Sequence, residues 1–328
     1  MNWTALDWKT LDRLREGFLS GSAAKGPYWK SRDDLAHYDA TYAERIGWKW
    51  DAVLRELKLR GWAPRVRTVL DWGCGSGIAG RRTIAAFGPE AFDELRVWDH
   101  SPLAMEFAGE AAGKQFPALR VGSATAGFLG GDEPIGLLVI SHVLTELPAA
   151  ALAGLRKLIA RAEAVIWVEP GTHAVARQLQ QIRSESLVTH RVVAPCTHAG
   201  ACGLLAPERE RDWCHFFAAP PSEIFADPNW VKFGQRAGID LRSLPYAFLV
   251  LDRNAAPAGD GLSHIIGRPE QCKVYASFLN CDASGTAELR VHKRDNPALY
   301  KALDRAKGPL VYRWQREGDR VSDGTPLG

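Results

Sequence analysis

The stretch Val69-Leu70-Asp71-Trp72-Gly73-Cys74-Gly75-Ser76-Gly77 decides the fold. Residues 68–71 read as a short strand and 78–87 as a helix, so the glycines sit on a strand-to-helix turn. Glycine lets the backbone turn tightly there and lets a ligand approach the main chain. The spacing separates ligands. A dinucleotide loop runs G-x-G-x-x-G with pyrophosphate against the helix N-terminus. Here Gly73, Gly75 and Gly77 run G-x-G-x-G, with Asp71 two residues ahead of the first.

Outward from this turn, apolar runs at 95–99, 119–121, 136–141 and 164–169 alternate with helix-compatible stretches at 103–114 and 149–161. That alternation predicts an α/β fold with a doubly wound, mainly parallel sheet. Ligands of such sheets bind at the C-terminal strand ends.

The glycine loop resembles motif I of the class I S-adenosylmethionine-dependent methyltransferases. The resemblance implies that Gly73, Gly75 and Gly77 wrap the amino-acid part of the cofactor and that Asp71 orients its ammonium group. The family's second acid, which accepts hydrogen bonds from the ribose hydroxyls, is matched by Asp99, 22 residues beyond Gly77. After the third strand relatives place an acid for the adenine amino group. Here the run is Val121-Gly122-Ser123, which leaves the Ser123 hydroxyl or backbone groups for that role. The fourth strand ends in Ile140-Ser141-His142, and Ser141 joins the expected cofactor residues. The Asn/Asp-Pro-Pro-aromatic loop that holds a flipped base is missing. His142 reads equally well as a base or as a histidine bonded locally. No catalytic residue is assigned.

Residues 1–62 read as a helical cap, with Leu11, Leu14 and Phe18 at helical spacing and six of the twelve tryptophans. Those tryptophans favour inter-helix packing over base stacking. The expected division continues with a cofactor-binding core at 63–189, a cysteine-rich insertion at 190–222, and the remaining sheet with a C-terminal hairpin and helix at 223–317. A disordered tail is expected at 318–328.

The chain has 328 residues, 46% apolar and 24% charged, which excludes wholesale disorder and collagen-like repeats. No apolar run approaches the ~20 residues of a membrane helix. The first 19 residues carry Asp7, Asp12 and Glu16 and no apolar signal core, so the expected address is the cytosol. A net charge of +3, from 41 basic and 38 acidic residues, is too balanced to announce nucleic acid.

Six cysteines are too few for a disulfide scaffold, yet five fall between positions 196 and 281. The segment Val193-Ala194-Pro195-Cys196-Thr197-His198 leads to Cys202 and then to Trp213-Cys214-His215-Phe216. A nucleophilic cysteine is rejected, because the Pro-Cys of RNA cytosine-5 methyltransferases follows the fourth strand rather than the fifth. Structural zinc, a four-thiolate iron–sulfur cluster and no metal remain open, with spacing alone favouring zinc. Cys272, Cys281, His198 and His215 all compete as the fourth ligand.

The pattern Ala194-Pro195-Cys196-x-His198, Cys202, Trp213-Cys214-His215-Phe216 and Cys281-x-x-x-Gly285 resembles one family. It is that of the methyltransferase-like assembly factors of the small ribosomal subunit, found in mitochondria with bacterial relatives. Val168-Glu169-Pro170-Gly171-Thr172 and Arg268-Pro269 are similar too. The resemblance implies a 4Fe-4S cluster on Cys196, Cys202, Cys214 and Cys281, and it reverses the preference for zinc. Thr197 and Gly203 depart from the family's prolines without removing a ligand.

The resemblance also implies binding to the small ribosomal subunit or its rRNA, with methyl transfer as one outcome. A catalytically inert RNA-binding assembly factor and a small-molecule methyltransferase are the alternatives. Residues 287–320 carry nine Lys and Arg against five acids, with Tyr300, Tyr312 and Trp314 interspersed for stacking. The stretch is the expected RNA contact.

Overall fold

A computed structural model of the chain describes residues 3–20, 28–256, 261–304, 308 and 310–327. The elements begin with helices α1 (Trp8–Leu19), α2 (Arg32–Tyr38) and α3 (Glu44–Leu59). Next come β1 (Thr68–Trp72), α4 (Ile78–Phe87), β2 (Glu94–Trp98), α5 (Pro102–Gln115), β3 (Arg120–Ser123) and α6 (Ala126–Gly130). They continue with β4 (Ile135–Ser141), α7 (Ala149–Arg161), β5 (Ala162–Pro170), α8 (His173–Ser186), β6 (Arg191–Ala194), β7 (Phe216–Ala218) and α9 (Pro228–Ala237). The last are β8 (Leu244–Asp252), β9 (Leu262–Gln271), β10 (Tyr275–Asp282), β11 (Gly285–His292), α10 (Pro297–Asp304), β12 (Val311–Glu317) and β13 (Arg320–Pro326).

Two compact units share these elements. The first comprises Met1–Asp51, Pro64–Val168 and Ala219–Leu244; the second comprises Ala52–Ala63, Glu169–Ala218 and Pro245–Gly328. The chain thus crosses between units repeatedly, and the serial division expected from sequence gives way to an interleaved one. Residues 190–222, expected as an insertion, supply the strands β6 and β7.

In the first unit β1 pairs in parallel with β2 and β4, β2 with β3, and β4 with β5. The resulting order β3-β2-β1-β4-β5 is the α/β, mainly parallel sheet of a class I methyltransferase-like fold. Val69, Leu70, Leu137, Leu138, Ile140 and Val165 are buried, as expected of a parallel sheet covered on both faces. The chain steps outward from β1 to β3 and then returns to β4 on the other side of β1. That reversal puts the switch point at the C-terminal ends of β1 and β4, where Gly73 and Ser141 stand.

The helical cap forms because its ends are satisfied. Asp7 caps α1 by accepting from the Lys9 amide at 2.9 Å, and Ser31 caps α2 by accepting from the Asp34 amide at 3.2 Å. Between α2 and α3 one turn, Asp39–Ala43, widens to a π-helix. Trp29, Trp48 and Trp50 are buried, which agrees with packing rather than base stacking. Trp29, Leu14 and Leu35 cluster with Ala104 of α5.

In the second unit β6 runs antiparallel to β8, and β7 also pairs with β8. Strands β9 to β13 close into a barrel in the order β10-β11-β13-β12-β9. Its interior holds Ile265, Phe278, Leu289, Val291 and Val321, with Leu299 and Leu303 of α10. The disordered tail expected at 318–328 is corrected: Arg320–Pro326 is β13, which pairs with β12 and, through Arg290↔Arg320 and Val291↔Val321, with β11. Val321 is fully buried and anchors it. Among the described residues no helix is long and apolar enough to cross a membrane.

Candidate functional site

At the switch point the glycine loop is tied to the end of β2. The amides of Gly73 and Cys74 both donate to the Trp98 carbonyl, at 2.8 and 2.9 Å. Asp99 accepts from the Gly75 amide through Oδ2 at 3.0 Å and from the Ser101 amide through Oδ1 at 2.9 Å. Asp71 lies buried beneath the loop, where Oδ2 accepts from the Gly80 amide at 3.0 Å. Burial pushes the Asp71 carboxyl up to about 7. Asp71 therefore braces the turn into α4.

All three glycines take positive φ, yet they differ in what surrounds them. A Cβ on Gly73 or Gly77 would meet Val143 Cγ1 at 2.7 Å or Ala108 Cβ at 2.8 Å, so both are needed for close packing. A Cβ on Gly75 would meet nothing within 4 Å. The loop thus leaves open space at its middle glycine, which suits a ligand laid against the backbone.

At the end of β4, Ser141 Oγ accepts from Trp50 Nε1 at 2.9 Å and stands 3.2 Å from His142 Nδ1. His142 Nε2 lies 3.1 Å from the buried Lys49 Nζ. Burial, then the positive Lys49 and Arg45, push the imidazole well below its ordinary range, so the ring is neutral. Among the described residues His142 is the one non-glycine at positive φ, 54°. A strained residue of this kind at a sheet switch point marks a constrained site. Ser123, by contrast, stands exposed at the end of β3.

Sequence reasoning missed three neighbours of Asp99. Glu146 follows β4, and burial together with the negative Asp99 pushes its carboxyl up to about 7. Tyr28 and Tyr38, from the cap, are half-buried; burial first, then the negative Glu146 and Asp99, push their phenols up. Their positions carry no spacing signal; only the packing of the cap on α5 brings them here.

The second unit gathers the cysteines. Cys196, Cys202, Cys214 and Cys281 line one cavity, with Leu179, Leu204, Phe216, Phe248 and Ile266 among its apolar walls. Burial pushes the Cys214 thiol well up, and the charge of Cys196, Cys281 and Cys202 adds to it. Burial likewise raises Cys281 and Cys202, with Cys196 contributing to both. Cys272 does not line this cavity; its carbonyl instead accepts from the Tyr300 hydroxyl at 2.8 Å. Cys74 sits in the glycine loop of the first unit. Among the described residues no three or more His, Cys, Asp or Glu side chains form a group that could hold a metal ion.

Arginines hold the cysteine loops in place of a hydrophobic core. Arg60 donates to the carbonyls of Pro195 and Val193 at 2.9 and 3.1 Å and pairs with the buried Glu56 at 2.8 Å. Buried Arg183 donates to the His198 and Gly200 carbonyls, both at 2.8 Å. Arg177 reaches the carbonyls of Leu204, Arg209 and Asp212 at 2.7, 3.3 and 3.1 Å. A loop with little apolar surface is here ordered through its carbonyl oxygens.

The basic stretch 287–320 is less free than its composition suggests. Arg320 pairs with Asp295 at 2.7 Å, and Arg316 stands 3.6 Å from Asp282. Tyr312 is buried and stacked on Trp314 at 4.3 Å, and the Tyr300 hydroxyl is engaged with Cys272, which corrects the expected role of Tyr312 in base stacking. Arg305 and Lys307 lie outside the described residues.

No curated protein matches the chain in sequence. Among solved structures it is similar to magnesium protoporphyrin IX methyltransferase of Synechocystis PCC 6803 with bound SAH. That match has 14% identity and a TM-score of 0.40, over 76% of this chain and 100% of that one. It is similar also to the N-methyltransferase NodS of Bradyrhizobium japonicum in complex with S-adenosyl-L-homocysteine. The figures there are 14% identity and TM-score 0.39, over 74% of this chain and 100% of that one.

A family model described as "Mitochondrial small ribosomal subunit Rsm22" matches residues 39–307. This description overturns the cytosolic address expected from the first 19 residues, since the family is one of the mitochondrial small subunit. A match from the helical cap through the cysteine loops to α10 makes the chain a member of the Rsm22 family.

Proposed function

We propose that the chain binds S-adenosylmethionine at the glycine loop, carries a 4Fe-4S cluster, and acts on the small ribosomal subunit or its rRNA. The supporting observation is the convergence of Cys196, Cys202, Cys214 and Cys281 on one cavity in a chain of this family. Four thiols and no carboxylate line that cavity, a donor set suited to iron–sulfur chemistry. Arg183, also in the lining, offers a positive charge to an anionic cluster. When bound, the cluster supplies iron–thiolate bonds that cross-link the 196–214 loops to β10. Its role in this reading is structural.

In the first unit Asp71, Gly73, Gly75, Gly77, Asp99, Ser123 and Ser141 are the proposed cofactor residues. Open space at Gly75 admits the amino-acid part of the ligand. Asp99 holds the loop with one lone pair on each oxygen and keeps the others for ribose hydroxyls. Methyl transfer by direct displacement asks mainly for alignment, which these strand ends provide.

The test combines iron and sulfide analysis of anaerobically purified protein with co-sedimentation on mitochondrial small subunits. Stoichiometric iron and sulfide with binding to the particles support the reading. Stoichiometric zinc without sulfide replaces the cluster by a zinc site. Binding without methyl transfer makes the chain an inert assembly factor, and methylation of a small metabolite without particle binding makes it a small-molecule enzyme.

A further inference from the structure

Five strands of the second unit form a closed barrel. From β9 to β13 its strands close in the order first-second-third-fifth-fourth, with α10 between the third and fourth. The third strand runs parallel to the fifth. This is the arrangement of an OB-fold, whose second and third strands and adjoining loops bind oligonucleotides.

The second and third strands here are β10 and β11. Ala276, Phe278, Asn280, Leu289 and Val291 are buried. By alternation the opposite, outer face carries Tyr275, Ser277, Leu279 and Cys281 against His292, Arg290, Glu288 and Thr286. The two ends of that face differ. At one end Cys281 enters the cysteine cavity, and a Cβ on Gly203 would lie 2.9 Å from Thr286 Oγ1, so the 202–205 turn covers it.

At the other end Arg290 is exposed, while Tyr275 and His292 are half-buried. Tyr275 stands 5.9 Å from the His292 ring, with the Arg290 guanidinium 5.6 Å from its centroid. The first-to-second-strand loop beside it presents Lys273 and Val274, the latter 58% exposed. The fourth-to-fifth-strand loop is held there by a bond from the Arg290 amide to the Asp319 carbonyl at 2.8 Å.

We propose that this end of the barrel, centred on Tyr275, His292 and Arg290, is a platform on which bases of single-stranded RNA stack. The inference deepens the rRNA reading above and rests on it. An aromatic ring beside a guanidinium offers a base one stacking partner and its phosphate one cation. Paired bases in a duplex hide the faces that such a platform needs. Of the exposed cations at this end, Arg290 stands 3.7 Å from Asp319, Arg294 stands 3.6 Å from Asp295, and the Lys293 ammonium lies 5.6 Å from the Tyr300 ring centroid. Stacking therefore contributes more than net charge.

The test is fluorescence anisotropy of the full chain with a mixed-sequence single-stranded RNA decamer and with the same sequence as a duplex. Iron content and circular dichroism serve as folding controls. The single strand should bind more tightly, and Tyr275→Ala should weaken it by roughly 5- to 100-fold, with Tyr275→Phe restoring it. A folded Tyr275→Ala that binds the decamer unchanged overturns the platform and leaves the rRNA reading intact. A wild-type chain that binds neither decamer nor small subunits overturns both. If Tyr275→Ala weakens co-sedimentation while no free RNA binds, the face takes a ribosomal protein and the RNA platform is overturned.

Discussion

The backbone N–H of Gly75 donates to Asp99 Oδ2 at 3.0 Å, so the acid closing β2 holds the middle of the glycine loop. Its other oxygen is engaged by the Ser101 amide at 2.9 Å. Asp99→Asn must turn an NH2 toward one of these two donors and leave it unsatisfied, at a cost of about 1–3 kcal/mol. Thermal unfolding should show that loss, and calorimetry a drop of roughly tenfold or more in S-adenosylmethionine affinity. An unchanged affinity would remove Asp99 from the cofactor site.

Gly75→Val separates cofactor space from folding. At φ 51° a β-branched residue is strained by about 1–2 kcal/mol, but no atom stands within 4 Å of its Cβ. The variant should fold and lose cofactor binding. Gly77→Ala, with Ala108 Cβ only 2.8 Å away, should instead lose stability whether or not cofactor is present. Equal melting and equal affinity in Gly75→Val and wild type would sink the assignment.

Glu146 gives a pH signature. Its carboxyl titrates at about 7 in the folded chain against an ordinary 4.5, so the folded state holds its proton longer than the unfolded one. Stability from this group is present at low pH and falls as pH rises between those values, by up to ~1.4 kcal/mol per unit. The half-buried His142, held neutral, pulls the other way below its ordinary range, so the comparison must be differential. The stability of wild type relative to Glu146→Gln should decline from pH 5 to 7 and level off above. A difference that stays flat across that window contradicts the assignment.

Arg183→Met deletes bonds to two loop carbonyls, each of a type that contributes about 1.5–3 kcal/mol. Limited proteolysis should then cut within 196–214, and the proposed cluster should be lost, while cofactor binding at the glycine loop persists. If the proposed cluster is bound, Cys281→Ser should release its iron and Cys272→Ser should not. The reverse result would exchange the fourth ligand.

Much of the first unit was legible in the sequence. Strands buried on both faces leave continuous apolar runs, and 78–87 and 149–161 coincide with α4 and α7. The glycine loop and the two strand-end acids are local features, so their spacing survives in one dimension. The barrel was not legible beyond its hairpin. Residues at 313 and 315–317 of β12 face solvent, and β13 shows a single buried residue, Val321, among polar neighbours. Such strands are specified by their partners rather than by their own pattern. Tyr28, Tyr38 and Glu146 escaped for a related reason, since only tertiary packing brings them to Asp99.

The strand order of the barrel also sets a sequence of events. β13 slots between β11 and β12, so the cylinder that carries Cys281 cannot close until residues 320–326 have left the ribosome. Cys196, Cys202 and Cys214 emerge long before that point. The wall of the cysteine cavity that Cys281 supplies thus rests on a barrel closed only when β13 joins it, and the proposed cluster would find all four thiols on a finished scaffold only then.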